Sequence, residues 1–215
     1  MEIKGPAIVI LLLFLFCLPL YSVSLDDIKE KMDLSGAAIE DLTSAFQGGA
    51  LKGSFTQTKS ISGSNRKLKS SGTVSFVPGY GIIWYTEKPY ASMLVVGRDV
   101  LIQKVRESNP VHLSIEENAI YRQIATALES SFSGDFSTAG LYFDTYFLQD
   151  GETWHIKLIP NDSTIASFMS SIHMEGRKML EALTMMEANG DSISYEFSDL
   201  RQNGSVEDEI SKFYI

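Results

Sequence analysis

From Leu51 onward the apolar residues recur with a period of two, and turn residues interrupt them every eight to twelve positions. That pattern fits a meander of antiparallel strands, because parallel strands need crossover segments of a dozen or more residues between them. It predicts strands over 51–60, 67–77, 81–87, 91–97 and 99–106, separated by Gly63-Ser64-Asn65, Pro78-Gly79, Lys88-Pro89 and Gly97-Arg98. A second series is predicted over 141–149, 153–159, 168–175, 178–188 and 191–199, with turns at Asp150-Gly151, Glu175-Gly176 and Asn189-Gly190-Asp191, and a last short strand over 210–215. About ten or eleven antiparallel strands form a sheet long enough to curl strongly.

Two segments break the period. Ile28, Met32, Ile39, Leu42 and Phe46 are spaced helically between Asp26 and Gln47, with Gly36 as a break point and Gly48-Gly49 as the stop. Ile120, Ile124, Ala127, Leu128 and Phe132 do the same within 116–132, where Glu116 and Glu117 sit at the positive end of the helix dipole and Gly134 terminates the run. The class expected is therefore mainly β (α+β), with an N-terminal and an inserted helix.

The start of the chain bears on compartment. Lys4 precedes an apolar run from Ala7 to Leu18, followed by Pro19 and small residues at Ser22-Val23-Ser24. The run is shorter than the roughly 18 residues a membrane span needs, and its pattern is that of a secretory signal peptide over residues 1–24, cleaved near Ser24. An uncleaved anchor helix is the alternative. Cys17, the one cysteine, lies inside this run, so the mature chain would hold no disulfide. Phe16 in front of it does not match a bacterial lipidation signal, which resembles a small residue before the cysteine. Residues 1–24 contain one charge of each sign, so the remainder keeps the net charge of −9, which disfavours nucleic acid as a partner. Residues 25–215 suffice for a single domain with a sizeable core.

Catalytic and metal motifs are sparse. His112, His155 and His173 stand singly on predicted strands or their edges, with no ligand spacing between any two, and His155, alternating with Trp154 and Ile156, is expected to face solvent. No nucleophile elbow, phosphate loop or zinc helix occurs. A hydrolase pairing Asp144 with His155 rests only on their availability. The expectation is a non-enzymatic protein without catalytic residues, metal ligands or cofactors.

Bulky apolar side chains do recur along single strand faces: Val74 with Phe76, Ile82 with Trp84, Met93 with Val95, Trp154 with Ile156 and Leu158, and Ile193 with Tyr195 and Phe197. Alternation alone fits an ordinary packed core and a ligand-holding hollow equally well. Methionines at Met93, Met169, Met174, Met179, Met185 and Met186, where strands usually carry β-branched residues, favour a surface that repacks around variable ligands. The expected lining of such a hollow is Phe55, Val74, Phe76, Trp84, Met93, Val95, Trp154, Ile156, Ile172 and Met185.

Gly53-Ser54-Phe55-Thr56-Gln57-Thr58-Lys59, with its Phe-x-Gln signature, resembles the first strand of the LolA family of periplasmic lipoprotein carriers. Gly72-Thr73-Val74-Ser75-Phe76, Pro78-Gly79, Trp84 with Pro89, Leu94-Val95-Val96, Leu158-Ile159-Pro160 and Asn189-Gly190 resemble its later strands and turns in order. The resemblance implies a half-open antiparallel barrel with helices as a lid, and an apolar interior that takes the acyl chains of lipoproteins. It also implies a periplasmic monomer passing cargo from an inner-membrane exporter to an outer-membrane acceptor. The family usually has an arginine before the proline of the Pro-Gly turn, where this chain has Val77, so an arginine-held lid does not carry over. A lipid- or lipoprotein-binding sensor, or a carrier of another envelope lipid, is the alternative on the same fold. Burying a sixteen-carbon chain is worth roughly 13 kcal/mol at about 0.8 kcal/mol per methylene, enough to hold a lipid that cannot cross water unaided.

Overall fold

The computed structural model describes residues 28, 49–77, 80–97, 101–106, 108–113 and 136–202. Within them lie eleven strands: β1 (Leu51–Ser60), β2 (Lys67–Val77), β3 (Gly81–Lys88), β4 (Ser92–Gly97), β5 (Leu101–Val105), β6 (Val111–Leu113), β7 (Phe143–Asp150), β8 (Thr153–Pro160), β9 (Met169–Gly176), β10 (Leu180–Glu187) and β11 (Ser192–Gln202). All pair antiparallel in one sheet of order β6-β5-β4-β3-β2-β1-β11-β10-β9-β8-β7. The first and last strands meet in the middle, and β6 and β7 form the two edges, so the sheet is not closed. No helix among the described residues is long and apolar enough to cross a membrane.

The ten strands predicted between 51 and 199 recur with ends shifted by at most three residues. Turn chemistry accounts for that agreement. Asp150 faces Thr153, leaving the two-residue turn Gly151-Glu152 with Gly151 at φ 58°, the left-handed geometry that matches hairpin twist. At the β10–β11 turn the Glu187 amide donates to the Asp191 carbonyl (2.8 Å), the Gly190 amide donates to the Glu187 carbonyl (3.0 Å), and the Asp191 amide donates to Asn189 Oδ1 (2.9 Å). Lys59 Nζ, at the end of β1, reaches Glu187 Oε1 at 2.9 Å and Asp191 Oδ2 at 3.7 Å. This partly exposed cluster, worth about 1 kcal/mol or less, pins that turn to the central strand.

Three short elements were not legible beforehand. β6 has only three residues, too few for periodicity to register. α1 (Phe136–Ala139) leads into β7, and α2 (Ser163–Ala166) joins β8 to β9. Asp162 caps α2, its Oδ1 accepting from the amides of Thr164 (2.8 Å) and Ile165 (3.1 Å), and Ile165 is fully buried. The helices predicted over 26–47 and 116–132, the leader, and the strand over 210–215 lie outside the described residues, apart from the buried Ile28.

Candidate functional site

Directly opposed residues on neighbouring strands share a face, so the register sorts the side chains. Leu51 lies opposite Phe76 and Phe55 opposite Phe197; Val74 lies opposite Trp84, Leu183 opposite Tyr195, Ile172 opposite Met185, and Ile156 opposite Met174. All of them fall on one face and in one apolar cluster that runs from β1–β3 through to β7–β11. Its walls, among them Phe143, Ile82, Ile156, Leu158 and Met174, are essentially without solvent contact. Toward its middle and rim the exposure rises: Trp84, Phe147, Met179, Met185, Tyr195, Phe197 and Leu200 are only partly buried.

The centre of this face is aromatic. The Tyr195 ring lies 5.9 Å from Phe55, 5.9 Å from Trp84 and 6.2 Å from Phe197. Trp84 on β3 and Tyr195 on β11 are three strand spacings apart, about 14 Å in a flat sheet. Ring centroids under 6 Å therefore mean that the side chains lean together across the strands between them, an arrangement consistent with a half-open barrel. Burial pushes the Tyr195 phenol up to about 12, so it stays a neutral hydroxyl at any physiological pH. At one end of the face a hollow of about 420 Å³ opens between Ser167-Phe168-Met169 on one side and Met185 with Glu187-Ala188-Asn189 on the other, with Phe168 exposed at its lip.

Thr145 is an exception in the buried wall: its hydroxyl has no hydrogen-bond partner among the described residues. An unpaired buried hydroxyl costs about 1–3 kcal/mol, and valine has nearly the same shape. Thr145→Val is expected to raise the melting temperature by about 2–4 °C per kcal/mol recovered, measured by thermal denaturation.

Of the ten expected lining residues, Phe55, Val74, Phe76, Trp154, Ile156 and Ile172 are buried in this cluster, and Trp84 and Met185 are partly buried against it. Met93 and Val95 are not there. They pair with Tyr85 and Ile83 on the opposite face, in a smaller cluster with Ala50, Val77 and Ile102. Residues 93–96 are all apolar, so alternation could not say which pair faces inward, and the register puts Leu94 and Val96 on the face of Trp84 and Ile82 instead. Val77, at the position of the family's arginine, is fully buried in that second cluster, away from the large apolar face. Tyr195 and Phe197 were legible as a strand face but not as its centre, because their proximity to Trp84 depends on curvature.

The polar face holds a second surprise. His155 does lie on the side opposite Trp154 and Ile156, but it is 5% exposed rather than solvated, and strand pairing places it directly across from Glu175. The ring of His173 stacks on it at 5.5 Å, and burial first, then the neighbouring His155 and Lys157, pull the His173 pKa down to about 4.

Among curated proteins none matches the sequence. Three solved structures are similar in shape over most of their length. A LolA-superfamily protein from Nitrosomonas europaea has a TM-score of 0.46 at 10% identity, covering 82% of this chain and 97% of that one. A proposed outer membrane lipoprotein-sorting protein domain from Vibrio parahaemolyticus has 0.44 at 13%, with 81% and 95% covered. A DUF1329 family protein from Desulfovibrio piger has 0.42 at 10%, with 77% and 92% covered. The family model described as outer membrane lipoprotein carrier protein LolA matches residues 48–214, and the chain belongs to that family.

Proposed function

We propose that this protein is an exported, periplasmic carrier that holds the acyl chains of lipoproteins against its apolar face and moves them from the inner to the outer membrane. The observation that carries this reading is the gradient of exposure along one face, from fully buried walls to the partly open Trp84, Tyr195, Phe197, Met185 and Phe147. A face buried throughout would serve only as core. One that ends in accessible aromatic rings and thioethers can take up methylenes and release them, since such side chains repack at little cost. Family membership and the leader-like residues 1–24 support the compartment and the cargo class. The inner-membrane exporter and outer-membrane acceptor follow from the same reading. With Val77 buried on the other face, closure of the hollow in this chain would not depend on a cation at that position.

The test is recovery of the exported protein from cells grown with a labelled fatty acid. Acylated protein co-purifying near one per chain is the expected result. Recovery at native levels with no acylated species attached would overturn the proposal.

A further inference from the structure

We infer that His155, His173 and Glu175 form a binding site for one divalent cation of the zinc class on the polar face of the sheet. His155 Nδ1 lies 3.3 Å from His173 Nε2 and 3.3 Å from Glu175 Oε2, and the three ligand atoms all lie within 4.8 Å of one another. A tetrahedral zinc with bonds of about 2.0–2.2 Å holds its ligand atoms roughly 3.3–3.5 Å apart. Two of the three edges already have that spacing. The third, no longer than 4.8 Å, closes by a small movement of Glu175, whose side chain is 41% exposed.

The donors are also of the right kind. Two imidazoles and one carboxylate form a nitrogen–oxygen set suited to zinc and its neighbours rather than to calcium or magnesium, which prefer oxygen alone. All three residues sit on paired strands, His155 on β8 and the others on β9, so strand pairing holds the three side chains together on one face before any ion arrives. His155 is the rigid, buried member, and the partly buried His173 ring is the one expected to rotate out of the stack to aim its lone pair. Lys157, opposite His173, places a positive charge nearby and weakens the site relative to an all-anionic one. Three protein ligands leave a fourth position for water or for a group on a partner docked at this face. The inference stands apart from acyl binding, which uses the other side of the sheet.

Titration of the untagged protein with Zn²⁺ by calorimetry, and with Co²⁺ by visible absorption, tests it. Saturable uptake of one ion per chain is expected, with the Co²⁺ bands of a four-coordinate site. His173→Gln and Glu175→Gln should each weaken binding by at least about tenfold, the effect that disturbing even the outer partners of a metal site has. Both should melt as the unmutated protein does without metal. His112→Gln, at an exposed position on β6, should bind unchanged. Uptake that never saturates, or that persists undiminished in His173→Gln, would overturn the assignment.

Discussion

Phe76→Glu is expected to abolish the cooperative melt, whereas Trp84→Glu is expected to keep the fold and lose acyl binding. Both residues lie on the apolar face, but Phe76 is 2% exposed and belongs to the buried wall, while Trp84 packs at the partly open centre beside Tyr195. An unpaired carboxylate in a wall position costs several kcal/mol against a total stability of about 5–15, so the first variant has little left to fold with. Position 84 is only partly buried, so a carboxylate there is expected to keep contact with water when no ligand is present, and its penalty is felt when an acyl chain must displace that water. A loss of about 100-fold or more in affinity corresponds to about 2.7 kcal/mol, well within the cost of desolvating a carboxylate. Circular dichroism melts beside fluorescent fatty-acid titration separate the two outcomes. If both variants unfold and the unmutated protein binds no fatty acid, the face is an ordinary core and the carrier proposal fails.

Gly72→Ala is expected to be among the most damaging single-methyl changes in the sheet. Gly72 lies opposite Phe55 on β1, at a register irregularity between β2 and β3 that brings the β3 backbone over it. A Cβ there would be driven into the Tyr85 carbonyl oxygen and would come within 2.9 Å of Thr86 Cα. Both neighbours are backbone in the middle of a paired strand, so relief requires moving β3 and, with it, Trp84. A destabilisation of about 3 kcal/mol or more is expected, seen as a fall in melting temperature of about 6–12 °C. Gly151→Ala is the control. Its φ of 58° makes alanine strained, but no atom lies within 4 Å, so a loss of only about 1–2 kcal/mol is expected.

These expectations show what the chain announces in advance. Strand positions and turn positions follow from local rules: alternation marks the strands, and Asp150-Gly151 and Asn189-Gly190 mark where they reverse. The long antiparallel sheet, with most of one face apolar, was therefore legible residue by residue, as was the shared apolar face of eight of the ten residues expected to line a hollow. Met93 and Val95 were misplaced because a strand apolar on both sides has no alternation to read, and only its hydrogen-bond register with β3 decides which side is inward. The aromatic centre was hidden for a different reason. Trp84 and Tyr195 are 111 positions apart and three strands apart, and they meet only because the sheet curves. His155 and His173 likewise show no ligand spacing along the chain, since it is the pairing of β8 with β9 that brings His155 up to His173 and Glu175. Local periodicity thus determined the elements and their apolar sides, while register and curvature, which depend on every strand at once, decided which side chains share a site.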